Sequence, residues 1–216
     1  MGRRTLGKDN SAAPDPSIEP DGVVEGVELA GLLERAVAGD QEAWRRIVGL
    51  YWRRVFALAR SRLRDHGIAE EVTQSVFVTV ATKLSQGQYA ERGKFEPWLF
   101  RVVVNRIRDQ VRALQRGATA TDDEVLDARA GTVESRGEGT RASERAMEEL
   151  RRALMMLGEA DRQVVELRHH AGLSFAAMAE LLDEPLGTLL ARHHRALKKL
   201  RTMMAGVEAS VMEDNS

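Results

Sequence analysis

Cysteine is absent from this chain of 216 residues. Disulfides and thiolate metal sites are therefore excluded, and a reducing cytoplasm is the expected setting. Proline is scarce, at five residues, and aromatics make up only 5% of the chain. No apolar run approaches the ~20 residues that a membrane-spanning helix needs. The opening residues, Met1-Gly2-Arg3-Arg4-Thr5-Leu6, lead into polar sequence, so no ordinary signal peptide is expected. Leu6 stands where a myristoylation pattern wants Ser or Thr. What remains, rich in Ala, Leu, Val and Arg, suits a globular helical protein.

Net charge is also small, at −1, which on its face argues against nucleic acid. The average hides a segregation. Asp9, Asp15, Glu19, Asp21, Glu25 and Glu28 lie near the start. Asp122, Asp123, Glu124, Asp127, Glu134 and Glu138 lie in the middle. The cations gather from Arg45 to Arg64, from Arg101 to Arg116 and from Arg192 to Arg201. Screening confines a charge's field to roughly 8–10 Å, so such local patches, not the net value, set attraction to phosphate.

The pattern predicts an all-α protein of two small helical domains. Residues 1–27, with Pro14, Pro16, Pro20 and their acidic neighbours, read as a disordered tail. Residues 28–116 read as the first domain. Leu29, Leu32, Leu33 and Ala36 share one helical face, Gly39 ends that helix, and Asp40 caps the next. Trp44, Ile47, Tyr51, Val55 and Leu58 then recur at steps of three or four, opposite an arginine-rich face. After a break at Asp65-His66-Gly67, Val72, Val76, Val80 and Leu84 mark a helix from Ala69 to Leu84. A loop follows over Ser85–Gly93, and then a long helix from Phe95 to about Gln115, with Pro97 in its first turn. Residues 117–144 read as a flexible acidic linker, 145–204 as the second domain, and 205–216 as a frayed tail.

Within the second domain, Ser174 caps a short helix through Leu182, and Asp183-Glu184-Pro185 separates it from a longer one. A turn that tight predicts a helix-turn-helix whose second helix can enter a major groove. Thr188, Arg192, Arg195 and Lys199 line up on one face of that helix, and no acidic residue lies between Pro185 and Arg201. Arginine can bond guanine bidentately while neighbouring cations meet phosphate. The plainer reading is a solvated basic face on a core helix. In the first domain Arg101, Asn105, Arg108 and Arg112 form a second stripe, with Asp109 the one acid among them. The nearby loop offers Gln86, Gln88, Tyr89, Arg92 and Lys94, and an aromatic such as Tyr89 could stack on unpaired bases. Phe95 and Trp98 read more simply as core.

The segment Ala69-Glu70-Glu71-Val72-Thr73-Gln74-Ser75-Val76-Phe77 resembles the region 2 helix of extracytoplasmic-function (ECF) sigma factors. So does Phe95-Glu96-Pro97-Trp98-Leu99-Phe100-Arg101-Val102-Val103-Val104-Asn105, with Asp109 and Arg112 beyond it. Gly172-Leu173-Ser174-Phe175, Leu186-Gly187-Thr188, Arg192 and Arg195-Ala196-Leu197 are similar to that family's region 4. The resemblance implies a protein that binds core RNA polymerase and promoter DNA, needs no cofactor, works as a monomer away from membranes, and allows for an anti-sigma factor. It implies that Glu71 and Gln74 dock on the polymerase. It further implies that Tyr89, Arg101, Asn105, Arg108 and Arg112 capture and melt the −10 element, while Thr188, Arg192, Arg195 and Lys199 meet the −35 element. The chain departs from the family pattern at Leu189-Leu190-Ala191, where Val-Lys-Ser is usual. Ser75 stands where an acid is common, and His193 where an apolar residue is.

Two other classes stay open on the residues alone: a dimeric helix-turn-helix regulator, and an interaction protein that keeps only the polymerase-docking domain. Catalysis has no foothold. Glu70-Glu71 lacks a partner for acid–base work, and neither a phosphate-cradling glycine loop nor a nucleophile elbow occurs. His169-His170 and His193-His194 invite a metal, but adjacent helical residues point about 100° apart, so no metal site is expected.

Overall fold

The computed structural model describes residues 26–89, 93–119 and 138–213, with side chains over 28–89, 93–116 and 146–205. Residues 1–25 of the expected N-terminal tail, Arg92, and the acidic core of the linker over 120–137 lie outside the described residues. Among those described there are eight helices and no strand. They are α1 (Gly26–Val37), α2 (Gln41–Leu63), α3 (His66–Ser85), α4 (Phe95–Thr119), α5 (Glu138–Met156), α6 (Glu159–His169), α7 (Phe175–Leu182) and α8 (Leu186–Glu213).

Local chemistry sets most boundaries. The Asp40 carboxylate accepts the backbone N–H groups of Glu42 and Ala43 at 2.9 and 3.1 Å, satisfying two orphan donors at the start of α2. Arg64, in the left-handed region at φ 61°, ends α2. Asp65 then caps α3 by accepting from the Ile68 N–H at 2.8 Å, so His66 and Gly67 belong to the new helix rather than to a break. Ser174 caps α7 through the Ala177 N–H at 3.0 Å.

Three boundaries differ from the sequence expectation. Helix α4 runs on through Thr119, and α5 already starts at Glu138, so the linker is shorter than 117–144. Helix α8 continues to Glu213, where a frayed tail from residue 205 was expected. In each case the added turns are rich in polar and small residues. A helix already nucleated adds residues at little cost even where no apolar stripe marks them.

Helices α1 to α4 pack around Leu33, Ile47, Val55, Val76, Val80, Phe95, Leu99, Phe100 and Val103, all nearly or fully buried. Helices α5 to α8 form the second lobe. The lobes do not stand apart. Val164, Leu167, Ala171, Leu173, Met178, Leu181 and Leu189 of the second lobe join the same core as the first. A smaller satellite core of Ala153, Leu157, Val165, Ala196 and Leu200 holds α5 and α6 to α8.

Candidate nucleic-acid interface

Helix α4 lays its apolar face inward through Leu99, Val103 and Ile107, which leaves Arg101, Asn105, Arg108 and Arg112 exposed on the other side. The four are not equivalent. Arg101 reaches across to the second lobe, where its Nη2 donates to the carbonyl oxygens of Glu180 and Leu181 at 2.7 and 3.3 Å. Those carbonyls end α7 and have no partner inside the helix, so a guanidinium suits them. Lys94 makes an ion pair with Glu180 at 3.0 Å beside it. Arg108 and Arg112 have no ion pair among the described residues, and line a groove of about 370 Å³ between the lobes.

The aromatics sit at the other end of that face. Phe95 is buried, as the sequence suggested. Tyr89 and Trp98 are half-buried, their ring centroids 4.5 Å apart, and each also packs on Phe95. Tyr89 is thus seated on an aromatic cluster rather than projecting freely. With Lys94, Pro97, Arg101, Ala179, Glu180 and Asp183 it borders a second hollow between the lobes.

In the second lobe the turn between α7 and α8 is held by Asp183, left-handed at φ 55°, so the chain reverses in few residues. Leu189, Ala196 and Leu200 anchor α8 to the lobe. The cationic stripe read from the sequence divides here as it does on α4. Arg192 is clasped bidentately by Glu184, with Nη1–Oε1 at 2.9 Å and Nη2–Oε2 at 2.7 Å. Lys199 pairs with Asp161 of α6 at 2.6 Å. Thr188 and Arg195 are exposed, and Arg195 has no ion pair among the described residues. The sequence could not show this, because Glu184 and Asp161 come to the stripe from other elements.

On the far side of the first lobe, Glu71 and Gln74 are exposed along α3. Val78 continues their stripe and is 67% exposed, an apolar side chain turned to solvent. Ser75 beside them accepts a hydrogen bond from Arg106 Nε at 2.9 Å, which ties α3 to α4.

The lobes are joined by charge as well as by apolar packing. Arg54 of α2 makes an ion pair with Glu96 at 2.6 Å, donates through Nε to the Ala171 carbonyl at 2.5 Å, and lies over the Tyr51 and Phe100 rings. Gly172 passes directly above it at φ +65°, with Arg54 Nε 3.4 Å from where a Cβ would stand. Arg62 pairs with Glu159 at 2.7 Å and also with Glu166. Burial pushes the Glu166 carboxyl up to about 7, against the lowering pull of Arg62 and Arg162. The Arg162 guanidinium pairs with Glu159, yet its Nε has no hydrogen-bond partner.

The histidines meet in an unexpected pairing. His169 and His193, from different adjacent pairs, place their Nε2 atoms 3.0 Å apart with rings stacked at 5.2 Å. Phe175 closes edge-on against His193 at 5.3 Å. Burial, with Arg168 nearby, lowers the affinity of both for a proton. Among the described residues no group of three or more His, Cys, Asp or Glu could hold a metal ion. Nor, among them, is any helix long and apolar enough to cross a membrane.

Residues 47–117, spanning most of α2 to α4, match the family model Sigma-70 region 2. Residues 147–200, from α5 into α8, match Sigma-70, region 4. The ECF RNA polymerase sigma factor SigK of Mycobacterium tuberculosis (strain ATCC 25618 / H37Rv) is 29% identical over 184 residues, covering 82% of this chain and 94% of that protein. This chain belongs to the ECF sigma factors. The sigma-E factor of Escherichia coli (strain K12) is likewise 29% identical to this sigma factor over 171 residues, covering 76% of this chain and 88% of the relative. Two solved structures share its fold. CnrH, in complex with the cytosolic domain of CnrY, has a TM-score of 0.59 at 22% identity, covering 81% of this sigma factor and 96% of that chain. RpoE from Bartonella quintana, in complex with the anti-sigma factor NepR, has a TM-score of 0.55 at 21% identity, covering 74% and 96%.

Proposed function

We propose that this sigma factor, which directs promoter recognition and transcription initiation with core RNA polymerase, divides the work between two helical faces. On α4, Arg101, Asn105, Arg108 and Arg112, with Tyr89 at the edge, engage and open the −10 element. On α8, Thr188 and Arg195 meet the −35 element, with Arg192 and Lys199 beside them. Glu71 and Gln74, extended by Val78, form the polymerase-docking stripe of α3. The domain division has residues 28–116 and 145–204 at the heart of its two domains, with α4, α5 and α8 extending them at their ends and the acidic linker between. The protein has no catalytic activity of its own and works in the cytoplasm.

The observation that carries this reading is the exposed run Asn105, Arg108 and Arg112 on α4, without ion pairs among the described residues, while the neighbouring lobe presents a helix-turn-helix. Cations held ready for phosphate beside an amide suit capture of a DNA strand. Engagement exchanges the contacts of Arg101 and Lys94 with α7 for contacts with phosphate, so the lobes part as the promoter is bound. The dimeric-regulator reading uses only the second lobe and leaves the region 2 match without a role. Run-off transcription with core RNA polymerase and a genomic promoter library tests the proposal. Initiation at a defined promoter set supports it, and no initiation at any promoter refutes it.

A further inference from the structure

Helix α8 leaves a face toward solvent that is not the one its cations suggest. Successive residues turn by about 100°. Gly187, Ala191, His194 and Lys198 therefore fall on one line, with Leu190 beside it, directly opposite buried Leu189 and Ala196. Arg192, the first arginine of the helix, is turned aside and held at both guanidinium nitrogens by Glu184. What the first two turns present is apolar: Leu186 is 45% exposed, Leu190 43%, and Ala191 is exposed between Thr188 and His194. Arg195 and Lys198, exposed and without ion pairs among the described residues, flank the patch one turn on.

Gly187 is a second, independent sign. It is the second residue of α8, its backbone is not in the left-handed region, and an added Cβ would meet nothing within 4 Å. Neither packing nor conformation calls for glycine there, and glycine weakens a helix. A bare backbone at the leading end of an exposed recognition face is what close approach of a ligand requires.

The major groove offers one apolar group on its base edges, the thymine C5 methyl. We propose that α8 reads thymine methyls through Leu190 and Ala191, supported by the methyl of Thr188. Gly187 lets the groove floor come close, and Arg195 and Lys198, one turn further along the helix, hold phosphate. Arg192 is held by Glu184 in the free protein, so in this proposal the methyl contacts rather than a guanine contact carry the selectivity. This inference rests on the reading of α8 as the −35 helix, and it specifies what that helix selects. The positive charge flanking the patch favours a nucleic-acid occupant over a second apolar protein surface.

The test uses the full chain with core RNA polymerase. Run-off transcription from templates randomised in the upstream element first defines the selected sequence. Each selected thymine is then replaced by deoxyuridine, which removes only the methyl, with replacements in the spacer as the baseline. The expectation is a thymine-rich upstream element and a loss of about three- to fivefold in holoenzyme binding for each contacted methyl removed. Leu190→Ser should abolish the uracil effect at one position. Gly187→Ala should weaken upstream binding while leaving thermal stability unchanged or raised. If promoters fire but every upstream thymine tolerates uracil, or no thymine is selected, the methyl reading is overturned while the sigma-factor reading stands. If no template fires, both fall.

Discussion

Arg62 of α2 and Glu166 of α6 form an ion pair that crosses from one lobe to the other, with the Glu166 side chain only 3% exposed. Replacing Arg62 by Met leaves a buried carboxylate without its partner. Breaking such a pair from one side costs about 3–5 kcal/mol, whereas replacing both partners by apolar residues is often close to neutral. The expected result in urea denaturation at pH 8, where the Glu166 carboxyl is ionised in the parent, is a large loss for Arg62→Met and recovery of most of it in Arg62→Met/Glu166→Leu. A single variant losing under about 1 kcal/mol would show that the pair is solvated rather than buried.

The same carboxyl sets a pH dependence. Its proton affinity is raised in the folded state, from an ordinary 4.5 to about 7. The folded protein therefore binds the more protons between those values, and the contribution of Glu166 to stability declines as pH rises through that window. Glu166→Gln should remove this decline, so its stability relative to the parent increases from pH 5 to pH 8. Parallel profiles for the two proteins would contradict the assignment.

His169 and His193 act in the opposite direction. Their proton affinity falls on folding, chiefly through burial. Their contribution is present above the ordinary value of 6.5 and is lost as pH falls below it. Protonating both also removes the acceptor that their Nε2–Nε2 hydrogen bond needs. Histidine NMR titration should place both midpoints below 6.5. His169→Gln/His193→Gln should flatten the acid side of the unfolding profile, and midpoints at or above 6.5 would contradict the pairing.

Arg108 and Arg112 make no ion pair among the described residues, so reversing them disturbs little inside the protein. Surface substitutions of this kind usually shift stability by no more than about 0.5 kcal/mol. Arg108→Glu/Arg112→Glu is expected to abolish strand opening, followed with permanganate on a promoter, while core polymerase still co-purifies with the protein. Retained opening would remove this part of α4 from the melting surface.

Much of the fold was legible because burial writes itself as periodicity. Ile47, Tyr51, Val55 and Leu58 recur at helical spacing and are all buried, and Asp40 and Ser174 announce the caps they form. The apposition of the lobes was not legible. It depends on contacts such as Arg54 to Ala171, 117 residues apart in the chain, whose partners carry no local mark. For the same reason the cationic stripes read as uniform. Only the folded structure shows that Glu184, Asp161 and the end of α7 occupy Arg192, Lys199 and Arg101. Val78 stands in the run Val76-Phe77-Val78-Thr79-Val80 and shares its chemistry with buried neighbours, yet it faces outward.

Leu173, Met178 and Leu189 of the second lobe lie in the same core as Phe95 and Phe100 of the first. Neither half is thus self-sufficient in its wrapping. Any process that swings them apart wets side chains that had been dry, and the DNA or polymerase surface that takes a lobe's place must shield them again. Separation is therefore coupled to capture, and a lone second lobe would tend to stick to other apolar surfaces.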